Sequence, residues 1–528
     1  MTTDGATPSP TLADRLAGAV WGHLVGDAIG VPYEFRPPAA IGDVRFGERG
    51  THGQPPGTWS DDGALMLALL DSLLTCGLRT DGNRTDWTYD PAVGFDVADQ
   101  GRRIVAWQDE GRYTPDGDGS FDIGGTTARA IDALRRGVPA EETGPAHDRA
   151  CGNGSLMRIL PLALVERDVP DDVLVDHAHR ASAVTHGHVR CQATCAWYVL
   201  TARRLLEGEP DPAVAFEAGR AALGRAYDAM GDAGSGYRDA LAFVAGWRAT
   251  HEPAGGGAAW DALWSARTAI ESAGSYRETV ERAIRLGDDT DTTAAIAGGL
   301  AGARWGIDAI PDGWLGGMRG REIVLPLVDR LVASAGWHTS TESPIRVDPV
   351  DLSGTPGGAG WTGRLGITFL PGKRRTGGFT GDHWRDAPRD ARRLRVDLDV
   401  DTVVLLVEDW ELALCRVPDL VEALAAEGIE TIRFPVVDAD VATDQAFATD
   451  PGGARDLIDA VESRLGDGKE VVVVCRGGLD RSGTLCGLVL RDLGLDGDGA
   501  VALVRRSRRG ALLREDQAAL VRAWRRGP

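Results

Sequence analysis

Two short acidic runs, Ser60-Asp61-Asp62 and Asp289 with Asp291-Thr292, stand more than two hundred positions apart in this chain. Each opens an apolar, small-residue stretch that reads as a helix: DDGALMLALLDSLL in one case, DTTAAIAGGLAGARWG in the other. Carboxylate and hydroxyl oxygens in such a pattern suit hard divalent cations, which take oxygen ligands in near-octahedral geometry and keep some water. Two such ions a few ångström apart can polarise a substrate oxygen and generate hydroxide. One cluster alone is a plain helix cap followed by a solvated acidic turn. Two clusters, in a chain that also holds Gly26-Asp27-Ala28 and Glu34, favour the cation, because concentrated carboxylates repel one another unless neutralised.

A different chemistry stands near the other end. EVVVVCRGGLDRSGTLCGLVL reads as a buried strand, a glycine-bearing loop and a helix, with Cys475 and Arg481 in a Cys-x5-Arg spacing. Such a loop aims backbone N–H groups, here at Gly477 and Gly478, and a helix start at one point, which makes an anion cradle. The same field favours a thiolate, so Cys475 is a candidate nucleophile, Arg481 a bidentate phosphate clamp and Ser482 a donor to the departing thiolate. The bland alternative is a buried cysteine at a strand end.

These groups need elements to hold them. Residues 11 to about 335 read as mostly helical, with runs such as PAVAFEAGRAALGRAYDAM and AHDRACGNGSLMRILPLALVERDV between Gly-, Pro- and Asp-rich loops. Gly18, Gly22, Gly26 and Gly30 repeat at a four-residue step, and GGLAGARWG repeats the device, so two helices are expected to approach closely. Residues 338–365, rich in Gly, Pro, Ser and Thr, read as a linker. After it, DTVVLLVE, TIRFPVV and EVVVVC alternate with helix-like segments, which predicts a βα-type parallel sheet. The expectation is multidomain: an all-α domain over 1–337, the linker, and an α/β domain over 366–528.

At 528 residues the chain exceeds one ordinary core, and its composition is that of a globular protein. The net charge of -21 argues against nonspecific binding to nucleic acid or to an anionic membrane. No run is long and apolar enough for a transmembrane helix, the start lacks a secretory signal, and seven cysteines show no CxxC pairing. A cytoplasmic protein without structural zinc is the expectation.

GHLVGDAIGVPYEF, TWSDDGALM, FDIGGTT, GNGSLMRILPLAL, THGHVRCQA and GDDTDTTAAIAGGLAGARWG, in that order, resemble the signatures of the ADP-ribosylglycohydrolase family. The resemblance implies an all-α fold with two Mg²⁺ or Mn²⁺ ions that removes ADP-ribose from modified protein side chains or small ADP-ribosyl compounds. It makes Ser60, Asp61, Asp62, Asp289, Asp291 and Thr292 metal ligands, and Asp61, Asp62 or Glu34 the base. It sets Asp122, Gly124, Asn153, Gly154, Ser155, Met157 and His186 on substrate-binding loops. Where the family has Thr-Asp-Asp-Thr, this chain has Ser60-Asp61-Asp62-Gly63, losing one hydroxyl. Because the family also includes structural lens proteins, a silent ADP-ribose binder is an alternative.

LPGKRRTGGFTGDHWRDAPRDARRLR, FPVVDADVAT and CRGGLDRSG resemble the cyclin-dependent-kinase-inhibitor-type dual-specificity phosphatases. That resemblance implies a phosphorylated substrate, Cys475 as nucleophile and Asp438, with Asp440 as fallback, as the acid that protonates the leaving oxygen. Val474 replaces a usual histidine and Asp480 a usual glycine, so a phosphate-recognition module without turnover is the alternative here.

Overall fold

The computed structural model describes residues 9–80, 87–117, 119–378, 381–437, 447 and 451–525. The chain forms two compact units, Met1–Ala335 and Gly336–Pro528.

The first unit is built of helices. Those that frame its site are α1 (Leu12–Gly30), α2 (Asp61–Gly77), α3 (Gly125–Arg135), α4 (Val189–Leu206) and α5 (Thr290–Trp305). A short hairpin of β1 (Leu78–Thr80) and β2 (Trp87–Tyr89) is the one antiparallel strand pair described in an otherwise helical unit. α1 and α5 are buried along nearly their whole lengths, and their glycines say why. A Cβ on Gly18 would lie 2.6 Å from the Gly302 carbonyl oxygen, on Gly22 2.5 Å from that of Gly298, and on Gly26 2.2 Å from that of Ala294. One on Gly30 would lie 2.4 Å from the Asp291 Cα. The two backbones therefore touch over the length of the contact, a spacing that any side chain would break. Tyr276 pins the pair by donating its hydroxyl to the Gly22 carbonyl at 2.7 Å.

The segment expected as helix over AHDRACGNGSLMRILPLALVERDV is helical only at Pro161–Val165. Before that the chain pairs sideways: Gly152 bridges Ala258, and the Asn153 N–H donates to the Gly257 carbonyl at 3.0 Å. Apolar spacing alone does not make a helix when glycines let backbone groups find partners elsewhere.

The second unit holds a five-stranded sheet of β3 (Asp348–Val350), β4 (Arg364–Phe369), β9 (Glu470–Cys475), β7 (Thr402–Leu405) and β8 (Glu430–Arg433), in that spatial order. β4, β9, β7 and β8 run parallel, and β3 lies antiparallel against β4. A hairpin of β5 (Arg374–Gly378) and β6 (Gly381–Trp384) stands apart from this sheet. β9 is buried on both faces: Val471 and Val473 join one apolar cluster, Val472 and Val474 the other. The helix-flanked, β-branched runs thus form the parallel sheet that their pattern predicts. β4, whose run is broken by Gly366 and flanked by arginine, lacked that signal.

The 338–365 stretch differs from the expected linker. It carries β3, and Thr339, Ile345 and Val350 are buried within the second unit. Its glycines and prolines serve turns between packed points rather than a free connection.

Candidate functional site

In the first unit the α1–α5 contact decides the geometry, because it sets the last turn of α1 beside the first turn of α5. Asp27, buried in α1, accepts from the Ser60 N–H at 2.9 Å and the Gly63 N–H at 2.7 Å, and so caps α2 from across the bundle. Ser60 is the N-cap itself, its Oγ accepting from the Asp62 N–H at 3.3 Å. Gly63 has no room for the family's hydroxyl: a Cβ there would lie 2.7 Å from both Leu24 and Trp59. The two acidic clusters then meet, Thr292 Oγ1 donating to Asp62 Oδ2 at 3.2 Å across 230 positions of sequence.

Around this floor runs a cavity of about 390 Å³. Its lining includes Glu34, Asp61, Asp62, Asp122, Gly124, Asn153, Gly154, Met157, His186, Asp289 and Thr292, so most of the expected residues converge. Asn153 Nδ2 donates to Asp289 Oδ2 at 2.8 Å, which ties the GNGS loop to the second acidic cluster. Ser60 and Asp291 are buried and are not among the residues that line it. Ser155 is not on the wall: it is fully buried, accepts from the Ser182 hydroxyl at 2.9 Å and supports the loop from below. His186 is buried with its ring under Gly152 and Gly154, and burial holds it neutral, its pKa lowered to about 3.

Two contributors carried no sequence signal strong enough to assign a role. Asp27 is one, although a buried acid inside a glycine stripe is itself unusual. His52 is the other, a lone histidine in a loop, whose Nε2 lies 2.6 Å from Glu34 Oε2 and 3.6 Å from Asp122 Oδ1. The surrounding backbone bends sharply: Phe35, Asp122 and Asp288 all have positive φ. Phe35 and Asp288 hold that shape by exchanging strand-like bonds, Phe35 N–H to Asp288 O at 2.8 Å and Asp288 N–H to Arg36 O at 3.0 Å.

The electrostatics of this cavity are those of acids without enough countercharge. Burial first, and then neighbouring carboxylates, push Asp61, Asp62 and Asp291 well above the ordinary range and Glu34 to about 9. Asp62 Oδ1 and Asp291 Oδ2 are buried with no hydrogen-bond partner, a costly state for a carboxylate in protein interior. Glu34, Asp289 and Asp291 each offer an oxygen within 4.8 Å of the others. An all-oxygen donor set with orphaned acceptors fits a hard cation.

The second unit assembles its own site at the end of β9. Cys475 is buried there, and its Sγ accepts from the Gly478 N–H at 3.2 Å. Gly478 has φ +66°, and a Cβ on it would press to 2.5 Å from the Thr368 carbonyl, so the loop requires glycine at that point. Helix α7 (Asp480–Asp492) follows the loop, and a short helix, α6, spans Asp409–Leu414. The head of Arg481, the expected phosphate clamp, is held by Glu411 of α6, Nη1 to Oε2 at 2.6 Å and Nη2 to Oε1 at 2.8 Å, and donates to the Val436 carbonyl at 2.8 Å. Burial alone would raise the Glu411 carboxyl, but Arg481's bonds and charge hold it below its ordinary value. Ser482 is fully buried beside the loop, and Asp438 and Asp440 lie outside the described residues. A cavity of about 220 Å³ opens over Cys475, lined also by Gly477, Gly478, Lys373, Arg375, His383 and Asp480.

Residues 8–340 match the family described as ADP-ribosylglycohydrolase. The chain is 28% identical over 338 residues to the ADP-ribosyl-[dinitrogen reductase] glycohydrolase of Rhodospirillum rubrum, covering 62% of this chain and 98% of that protein. It is 27% identical over 312 residues to the ADP-ribosylarginine hydrolase Tri1 of Pseudomonas putida, covering 58% and 75%. Among solved structures, the kinase associated phosphatase (KAP) aligns with 34% of this chain and 92% of its own at 20% identity, with a TM-score of 0.29. No helix among the described residues is long and apolar enough to cross a membrane.

Proposed function

The chain belongs to the ADP-ribosylglycohydrolase family, and from that premise we propose that the acidic cavity is the site of a metal-dependent hydrolase that releases ADP-ribose from a modified protein side chain. The arginine linkage is the first to test, because one relative is named as an ADP-ribosylarginine hydrolase. The observation that carries the metal dependence is the pair of buried, unpartnered oxygens, Asp62 Oδ1 and Asp291 Oδ2, in the two acidic clusters.

Ser60, Asp61, Asp62, Asp289, Asp291 and Thr292 would hold two Mg²⁺ or Mn²⁺ ions, with Glu34 beside them. Bound there, the ions would supply charge to orient ribose hydroxyls and to acidify a water. The chain's own residues do the rest. Cleavage breaks the bond between ribose C1″ and the side-chain nitrogen through a cationic ribose, and water supplies the new C1″–O bond. Glu34, ionised once bound cations offset its acidic neighbours, would take the proton from that water and pass it to the departing nitrogen, and His52, hydrogen-bonded to Glu34 Oε2, keeps the carboxylate aimed into the cavity. Asn153 fixes Asp289, and Gly124 and Gly154 let backbone approach the pyrophosphate. ADP-ribosyl-arginine peptide should be hydrolysed by the wild type with Mg²⁺ or Mn²⁺, and by neither the chelated enzyme nor Asp289→Ala. Turnover that survives both would overturn the mechanism.

A second reading is favoured by a separate observation, the Cys475 Sγ that accepts a loop N–H beside a buried Arg481. In it, the Cys475 sulfur bonds to the phosphorus of a phosphate ester as the ester P–O bond breaks, and the departing alcohol takes its proton from an acid for which Asp438 is the candidate. Arg481 and the loop N–H groups neutralise the phosphoryl oxygens, and water then breaks the S–P bond to free phosphate and restore the cysteine. Hydrolysis of p-nitrophenyl phosphate, lost in Cys475→Ser, tests it. Binding of phosphate without turnover would make the second unit a recognition module.

A further inference from the structure

The cavity over Cys475 holds more positive charge than one phosphoryl group uses. Its lining carries Lys373, Arg375, Arg476 and Arg481 against a single acid, Asp480. Arg481 is already matched by Glu411. Lys373 is not matched in this way. The residue is 4% exposed, and its ammonium makes one long hydrogen bond, to the Arg476 carbonyl at 3.4 Å, with the Phe369 ring 4.7 Å away. An ammonium has three donors to satisfy, and burial has lowered this one to about 8. Elsewhere in the same unit a buried cation is fully paired: Arg385 donates twice to Asp390 at 2.7 Å. Arg375 is half-buried on the same wall, its backbone in the β5–β6 ladder opposite His383, while its guanidinium has no hydrogen-bond or ion-pair partner among the described residues. Gly377, Gly378 and Gly381 of the β5–β6 hairpin complete this wall without side chains that would narrow it.

We propose that Lys373 and Arg375 form a second anion subsite beside the Cys475 cradle, so that this cavity selects phosphate esters bearing a further anionic group. The inference rests on the phosphatase reading above for the fate of the first phosphate. Its physical basis is independent of turnover: two cations, partly stripped of water, face a cavity in which one phosphoryl group would be bound by Gly478, its neighbouring N–H groups and Arg481. A second phosphate or carboxylate on the same molecule gives them the charge-assisted bonds they lack.

The test compares, on the full chain by calorimetry, inorganic phosphate with methylenebisphosphonate, which presents two linked anions and cannot be hydrolysed. The wild type should bind the bisphosphonate at least about tenfold more tightly, and Arg375→Ala and Lys373→Met should each bring the ratio near unity. Lys373 is buried, so if its variant fails to fold, Arg375→Ala decides. Equal binding of the two probes by wild type, or a preference that survives Arg375→Ala, overturns the proposal. Turnover of p-nitrophenyl phosphate is scored in parallel: turnover without the preference removes only the subsite, and the preference without turnover keeps the subsite and removes the phosphatase reading. Inositol bisphosphate and a doubly phosphorylated peptide, run as competitors, separate a small-molecule source of the two anions from a protein one.

Discussion

The two sites of this chain solve opposite electrostatic problems with the same raw material, polar groups at the starts of helices. In the first unit, carboxylates from two helix starts crowd until Glu34 is driven to about 9 and two oxygens have no partner. In the second, one loop and one helix start collect backbone N–H groups around a thiol, and Lys373, just before β5, and Arg375, within it, add cations. Each cavity is therefore unbalanced as it stands, and each states by its sign what would balance it: a cation in one, an anion in the other. The difference lies in how they are assembled. The acidic site depends on a contact between helices far apart in sequence, whereas the thiol cradle of the basic one lies on a continuous strand, loop and helix to which Lys373, Arg375 and Glu411 are added from elsewhere.

The largest expected effect strikes the acidic site. Asp291→Asn removes a charge from its floor while leaving the α5 backbone in place, and ADP-ribosyl-arginine hydrolysis should fall by at least about a thousandfold, or about 4 kcal/mol of transition-state stabilisation. Turnover of p-nitrophenyl phosphate by the same protein should not change. If both activities fall together in a folded variant, the two sites are not separate devices. Next in size is Glu411→Gln. It keeps the shape but halves the ion pair that aims Arg481, and p-nitrophenyl phosphate kcat/KM should drop by about a hundredfold. An unchanged value would mean that Arg481 needs no support and that the loop alone makes the cradle.

How far each site could be read in the sequence follows from that difference in assembly. Cys475, Gly478 and Arg481 sit within seven positions, so spacing alone outlined the loop. Glu411 was not visible, because nothing in DWELAL marks which carboxylate will reach an arginine 70 positions away. The acidic clusters were legible as donors, and the four-residue glycine step was legible as a close helix contact. Asp27 as the cap of α2, and His52 on Glu34, were not: each acts through a fold contact that leaves no local periodicity. The 338–365 stretch misled for a related reason, since a three-residue edge strand among prolines has the composition of a linker. The GNGS loop misled in the opposite direction, its apolar spacing resembling a helix while its backbone bonds run to Gly257.

If long-range packing is what builds the acidic site, a single methyl group in the α1–α5 contact should harm it. A Cβ on Gly302 would stand 1.8 Å from the Gly18 carbonyl oxygen, a distance no local adjustment of a side chain can relieve because the obstacle is backbone. Gly302→Ala should lower the stability of the folded chain by about 1–3 kcal/mol in urea unfolding. It should also weaken ADP-ribosyl-arginine turnover through displaced metal donors. Gly42→Ala, which meets nothing within 4 Å, serves as the control and should change stability by less than about 0.5 kcal/mol. Equal effects at both positions would show that the glycine step does not hold the clusters together.

The smallest effect is a pH slope, and its sign separates the two sites most cleanly. Glu34 and Asp27 have folded-state values, about 9 and about 7, above those of exposed carboxyls, chiefly because they are buried. A carboxyl raised on folding contributes stability that is full below its unfolded pKa and lost as pH rises through the folded one. The metal-free chain should therefore lose stability between about pH 4 and 9. Glu411 has the reverse sign: Arg481 holds it low, so its contribution is present above the ordinary carboxylate range and lost as pH falls beneath it. Mg²⁺ or Mn²⁺ should flatten the alkaline loss, since a bound cation favours the ionised acids, and should leave the acid-side loss as it was. Thermal unfolding from pH 3 to 9, with chelator and with Mn²⁺, reads both slopes on one protein. An alkaline loss that Mn²⁺ does not reduce would mean the carboxylates of the first unit are not the groups that take up the ion.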